Sequence, residues 1–426
     1  MKRNLLVLPL LAFFVNLGFG AISPIIPFYL ISLEGGLNEI PEALGRIEAK
    51  EYAVQFGVLM AAFMATRAFL APYFGKLSDD VGRKKIITVG LSLYGVVSFV
   101  YLLAENWIHL ALIRALQGVA SAMVWPVAEA LLMDTVRFDV RGVSMGWYMT
   151  LSNAGFMIGP AVGAYVYKFG VLVLNLSVPD VFRFPFLVLA LLSTLALILA
   201  IFIKEIPLEE LQRLATDGGS EEPISGELKT TLKAIYVMAL ANGFAMGFIV
   251  PVVSLFIIEY VSSDPAVLGV LSTVASVVGF FVSIPAGRVS DIKGRKPLIV
   301  VGQLISRVAT IVMPFVRTVD GLLAVYCLRS VAFNMSSPPF RALQGDIVPP
   351  KIRGRIFGTV QAFFNFGAIL GPLLGPAFYG VVGPHVYDLF GFKIEGIVIP
   401  FWVSAALGIF SLAVFVKFVK EPEKKL

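Results

Sequence analysis

The stretch GKLSDDVGRKK, residues 75–85, sets two carboxylates and four cations between long apolar runs. Residues 287–297 read GRVSDIKGRKP, the same pattern 212 positions on, half the length of the chain. Two further matches share that offset. DTVRFDVRGVSMG from Asp134 pairs with DIVPPKIRGRIFG from Asp346, and NAGFMIGPAVG from Asn153 pairs with NFGAILGPLLG from Asn365. Three matches at one shift identify an internal duplication.

The composition says what surrounds the repeats. The 426 residues are 58% hydrophobic and only 15% charged, where a soluble domain carries about 25% charged residues. Such a chain cannot cover itself with polar surface, and its natural solvent is a bilayer. With one cysteine, Cys327, and two histidines, His109 and His385, a Cys-based zinc site is excluded and little remains for metal or acid–base chemistry. No metal or cofactor is expected. The net charge of +6 matters less than where the charges stand, and no nucleic-acid partner is implied. The N-terminal MKRNLLVLPLLAFF reads as a first span rather than a cleaved leader, because its apolar run continues to Leu33 without a small-residue cleavage site.

Twelve apolar segments follow, near 5–32, 51–75, 86–104, 107–133, 143–168, 183–203, 231–258, 266–287, 297–316, 319–346, 355–382 and 396–419. Each is long enough to cross ~30 Å of hydrocarbon as a helix, the form that satisfies its own backbone where water is absent. The expected fold is therefore an all-α membrane protein of twelve transmembrane helices in two pseudo-twofold six-helix bundles. With both termini cytoplasmic, 23 of the 34 Lys and Arg fall on the inner side, six on the outer side and five inside spans, which fixes the orientation. The charged, Gly-containing stretch at 204–230 reads as a cytoplasmic linker, with a short amphipathic helix near 208–214 or a plain tether. The expected domains are 1–203, 204–230 and 231–426.

The loop GKLSDDVGRKK between spans 2 and 3 resembles the signature loop of the major facilitator superfamily, and the resemblance covers the whole chain. RALQGVASA, 114–122, and GFMIGPAVG, 155–163, resemble motifs of the drug:proton antiporters within it, and NLGFGAISPIIPFYL is similar to the first helix of twelve-span drug exporters. Asp80 departs from the pattern, where many members carry a cation, and span 1 lacks a mid-membrane acid. The resemblance implies a monomeric secondary carrier of the plasma membrane that exchanges a small molecule for protons.

The charged loops are expected to turn at Gly75 and Gly82 and to latch the cytoplasmic side. Arg83 can pair with Asp134, and Arg295 with Asp346. The resemblance implies that Asp79 faces the positive N-terminal end of span 11, and by the repeat Asp291 faces the start of span 5. Arg141 and Arg353, at those two starts, complete the set.

Polar groups at depth are candidates for binding or coupling, since a charge in hydrocarbon costs several kcal/mol. Arg114 and Arg329 are cations inside spans. Gln117, Asn16, Asn153, Asn242 and Asn365 place amides near the midplane, for substrate or for helix–helix hydrogen bonds. Glu129, after Trp125-Pro126, is a carboxylate near the inner boundary that can exchange a proton or pair structurally. Gly155, Gly159, Pro160 and Gly163, with Gly371 and Pro372 in the repeat, form stripes that let helices approach closely. Several arginines with little acid leave an organic anion or sugar, taken up or exchanged, as a second reading. GVSMG, 142–146, formally matches a nucleophile elbow, but it opens a membrane helix and its repeat GRIFG has no Ser, so an enzyme is not expected. No phosphate-binding loop for ATP occurs.

Overall fold

A computed structural model describes residues 2–41, 47–136, 140–205, 226–348, 353–389, 391–419 and 421. The helix expected at 208–214 lies outside the described residues.

The long apolar runs are helical, the first of them in two pieces. In chain order they are α1 (Lys2–Ile22), α2 (Ile26–Leu33), α3 (Ala53–Val81), α4 (Arg83–Val100), α5 (Trp107–Thr135), α6 (Arg141–Leu172), α7 (Asp180–Ile201), α8 (Gly226–Tyr260), α9 (Pro265–Lys293), α10 (Arg295–Val312), α11 (Val319–Ile347), α12 (Arg353–Val382) and α13 (Ile399–Phe418). Among the described residues eleven helices are long and apolar enough to cross a membrane. The twelfth expected span, α11, has 29 residues but is less apolar because it carries Asp320, Arg329, Arg341 and Asp346.

Span 1 departs from the continuous helix expected at 5–32. It breaks between α1 and α2, where Pro24 and Pro27 offer no N–H donor. The amides of Ser23 and Ile25 bond three residues back instead, to Gly20 and Ile22. A second departure is a β-hairpin that helical patterning missed, β1 (Val386–Leu389) and β2 (Phe392–Glu395), antiparallel with Val386 opposite Glu395. Gly391, at φ 85°, makes its tight turn, and Arg317 pairs with Glu395 while stacking 5.2 Å over the Tyr260 ring.

By contact the chain divides into two compact units. The first comprises Met1–Glu48, Val58–Gly218 and Ser263–Thr273; the second comprises Ala49–Gly57, Gly219–Ser262 and Val274–Leu426. In the first, α1 packs on α6 and α7, while α4 packs on α5 and α7. In the second, α8 packs on α12 and α13, while α10 packs on α11 and α13. The same packing scheme thus occurs twice. The core of the first unit gathers Leu8, Leu11, Ile87, Leu91, Val124 and Leu131, and that of the second Ile235, Ile299, Leu343 and Phe415. Large apolar side chains also face outward, among them Phe69, Val143, Tyr165 and Ile292. An outside this apolar belongs in lipid.

Candidate functional site

The charged loop is built from one residue of turn. Helix α3 runs on through Gly75 to Val81, and the chain reverses at Gly82, whose φ of 102° only glycine adopts without strain. The expectation that Gly75 helps the turn is corrected: it lies in the helix, and a side-chain carbon added to it would meet nothing within 4 Å. No proline interrupts the helix between Gly75 and Gly82. Gly294, at φ 93°, repeats the turn between α9 and α10.

Around these turns the charges pair within each unit. Arg83 lies 2.7 Å from Asp134 and 3.1 Å from Asp79. Arg141 also acts electrostatically on Asp134. In the repeat Arg295 bonds to Asp346 and lies 3.8 Å from Asp291. The side chain of Arg353 lies outside the described residues.

The sequence reading missed the partners of the next residue. Lys84 Nζ donates to the carbonyls of Ile201 and Ile203, 2.9 Å each. Its backbone N–H donates to Glu205 Oε2 at 3.0 Å. Lys296 Nζ does the same to Val416 and Val419, at 2.9 and 2.7 Å, and its backbone N–H donates to Glu421. A cation thus closes the C-terminal end of α7 and of α13, while a carboxylate closes the N-terminal end of α4 and of α10, as the helix dipole favours. The signal was present as FIKE, 202–205, and FVKE, 418–421. Asn4 was also missed. It is buried at 1% exposure and bonds to Thr135 Oγ1 and to both backbone groups of Lys204.

The interior of the first unit holds a polar cluster on α5. Arg114 is 3% exposed and Gln117 fully buried. The Arg114 guanidinium donates to Gln117 Oε1 at 2.9 Å and to the Met60 sulfur at 3.3 Å. It lies 5.0 Å from the Phe63 ring centre and 5.5 Å from that of Phe19, within cation–π range. Tyr101 donates to the same Gln117 oxygen at 3.0 Å. No carboxylate forms an ion pair with Arg114 among the described residues. Deeper along α5, half-buried Glu129 and exposed Arg67 both act on the buried Tyr148 hydroxyl.

In the second unit Arg307 donates to Asn242 Oδ1 at 3.2 Å and to Gln303 Oε1 at 2.9 Å. Gln303 donates in turn to Ser336 Oγ on α11. Arg329 lies on α11 within the electrostatic reach of Arg307.

Each of the four amides expected near the midplane has its own surroundings. Asn16 is engaged with Ser152, at 2.6 Å to its hydroxyl, and Asn242 with Arg307. Asn365 accepts from Gln361 at 2.8 Å, and Asn153 is exposed. Their depth came from spacing; their direction came from which neighbour each could reach.

The glycine stripes fall where helices touch. A side-chain carbon on Gly159 would strike Gly20 and Leu17 of α1, one on Gly155 would strike Phe13, and one on Gly163 would strike Ala21. Gly371 stands likewise against Phe244 and Phe248 of α8. The carbonyl of Pro160 faces Gly269 in the first unit, and that of Pro372 faces Gly57 in the second.

Three comparisons place this arrangement. A family model described as Major Facilitator Superfamily matches residues 8–233 and 235–426. The chain is similar to Multidrug resistance protein 2 of Bacillus subtilis (strain 168), 24% identical over 85% of each chain. It is similar to Quinolone resistance protein NorA of Staphylococcus aureus (strain COL), 23% identical over 94% of this chain and 96% of that one. Among solved structures it matches the inward open xylose transporter XylE from E. coli at TM-score 0.70 and 16% identity, covering 99% and 98% of the two chains. It also matches the human organic anion transporter MFSD10 at TM-score 0.67 and 18% identity, covering 97% and 99%. On the family match, which spans both repeats, the chain belongs to the major facilitator superfamily of membrane transporters.

Proposed function

We propose that the chain expels small amphipathic compounds across the plasma membrane in exchange for protons, as a single polypeptide with both termini in the cytoplasm. The observation that carries this reading is the match to two drug-resistance proteins over 85% and 96% of their lengths. The buried cluster supports it. Arg114, framed by Phe19 and Phe63, joins a charge to aromatic faces in hydrocarbon, the combination an amphipathic compound needs. Gln117 holds that guanidinium in place. Glu129 is the carboxylate that takes up and releases the proton, and its charge acts on the buried Tyr148 hydroxyl.

In this reading the two repeats of six helices, 1–203 and 231–426, tilt against each other about the linker. Asp79, Arg83, Asp134 and Arg141, with Asp291, Arg295, Asp346 and Arg353, form a cytoplasmic latch. Asn153, Arg329 and Asn365 stand along the path of the substrate.

The test is transport of ethidium by the purified protein in liposomes under an imposed pH gradient. Saturable movement opposite to the protons, abolished by nigericin, fits the proposal. A second reading, co-directional movement of an organic anion, is favoured by arginines at depth that lack acid partners. Co-directional flux of 2-naphthoate with protons in the same liposomes would select it.

A further inference from the structure

Glu259 is the penultimate residue of α8. Among the described residues it is the one buried carboxylate, with its side chain 7% exposed. In the orientation proposed above, α8 ends on the outer side. Two side chains meet its oxygens. Lys50 Nζ lies 3.4 Å from Oε1, and the Tyr379 hydroxyl donates to Oε2 at 3.3 Å. Lys50 stands just before α3 in the first sequence repeat, whereas Glu259 and Tyr379 belong to the second. All three lie in the second compact unit.

The two contacts answer differently to a proton. A tyrosine hydroxyl both donates and accepts, so Tyr379 serves a carboxylate and a carboxylic acid alike. Lys50 is drawn by the charge, at a site that solvent screens little, and a proton on Glu259 removes that charge. The segment that Lys50 holds packs through small groups. Ala49 and Ala53 are fully buried. A side-chain carbon on Gly380 of α12 would lie 3.3 Å from the Lys50 carbonyl and 3.4 Å from Ala53 Cβ, and one on Gly57 would strike the Pro372 carbonyl. Small groups bury little apolar area, so the ion pair weighs more in this contact than it would beside large side chains.

The other charged groups of this end are held without Glu259. Glu395 of β2 pairs with Arg317, whose guanidinium lies over the Tyr260 ring. Tyr260, next in the chain, also acts on the Glu259 carboxylate. Glu51 and His385 are exposed. At the same side of the first unit, Glu34 accepts from the backbone N–H of Trp107 and Asp264 from that of Ala266. Those two carboxylates have a backbone anchor; Glu259 has side chains alone.

We propose that Glu259 is a proton switch for the outer side of the carrier. Charged, it holds Lys50 and with it the start of α3; protonated from outside, it lets that segment go. The switch rests on the proposed orientation and deepens the exchange reading, because a proton arriving from outside would open the side on which cargo leaves. Glu129 and Glu259 then have separate roles, one carrying the proton and the other sensing it.

The experiment is pulsed electron resonance on the purified full chain in detergent, with no gradient and no cargo. Spin labels go on cysteines at two exposed positions, Glu51 before α3 and Val319 at the start of α11, in a chain whose Cys327 is replaced by Ser. The separation is expected to shift to longer values when the buffer is changed from mildly alkaline to acidic. Glu259→Gln, which fixes the neutral form, should give the long separation in both buffers. Lys50→Met removes the other partner and should do the same, so a glutamine variant that fails to fold does not end the test. His109→Gln and His385→Gln should keep the acid shift, although histidine titrates in that range. A separation that ignores pH in the otherwise unaltered chain overturns the switch. So does an acid shift that survives in Glu259→Gln, a short separation in that variant in both buffers, or a shift lost with either histidine. Because no flux is measured, each of these failures leaves the efflux reading standing.

Discussion

Gly75 and Gly82 belong to one motif and answer to different forces. Gly82 turns the chain at φ 102°, so Gly82→Ala should cost about 1–3 kcal/mol of stability, the usual strain of a non-glycine in that region. Gly75 sits inside α3 with open space around it. Gly75→Ala should therefore leave stability unchanged or raise it by up to about 1 kcal/mol from helix propensity. Comparing the two variants by thermal melting in detergent checks both, and equal destabilisation would show that Gly75 has a role the packing does not reveal. Spacing alone could not separate them, because two glycines seven residues apart fit a loop and a helix end equally well. The same limit applies to the amides. Helix rise sets the depth expected of Asn16 and Asn242, but whether each meets substrate, Ser152 or Arg307 depends on side-chain direction. Pairs between charged residues were more legible. Arg83–Asp134 and Arg295–Asp346 stood out in the sequence because both members recur 212 residues on.

At the level of elements, the duplicated loop is a clasp inside each set of helices. Lys84 closes the end of α7, and Glu205 closes the start of α4. Replacing Lys84 by Met should destabilise the first unit by about 0.5–1.5 kcal/mol, the net worth of a part-exposed hydrogen-bonded contact. Amide hydrogen exchange near 201–205 should speed up in that variant and stay slow near 416–421, where Lys296 serves the same end of α13. Faster exchange at both ends alike would contradict the assignment of one clasp to each repeat. Helix identity was plain from apolar length, yet α11 fell below the hydropathy of its fellows because charges at its ends and interior dilute it. The break at Pro24 follows from proline's missing donor, but the apolar run of residues 5–32 continues across it. The hairpin at 386–395 escaped because its strands are four residues each, too short for alternation to register against the helices around them. The close approach of α1 and α6 at Gly159 is also an element-scale claim. Gly159→Leu should cost about 1–3 kcal/mol or prevent folding, as overpacking does, and recovery of normal melting would show that the helices can separate there freely.

For the whole molecule, the twofold repeat implies motion as well as architecture. Lys168 lies 2.7 Å from Asp264, and Lys50 lies 3.4 Å from Glu259. Each pair joins residues from different sequence repeats within one compact unit. If the repeats tilt during transport, these pairs must part and re-form once per cycle. Cysteines at Lys168 and Asp264, in a chain whose Cys327 is replaced by Ser, should therefore arrest transport when bridged by a short reducible bis-thiol reagent, and reductant should restore it. Full activity of the bridged protein would mean that this contact stays closed throughout. The duplication was the most legible feature of the sequence, since it needs only self-comparison. The partition of residues 49–57 and 263–273 was not legible, because it follows from packing between repeats and leaves no trace in composition.

The most direct test of the central claim is flux through the purified protein in liposomes. Ethidium transport is followed as its concentration and the pH gradient are varied independently. The account predicts a rate that saturates with ethidium, runs opposite to proton movement, collapses with nigericin, and loses its dependence on the gradient in Glu129→Gln. A rate that rises linearly with ethidium and ignores the gradient would contradict it, because that is the behaviour of an open pore.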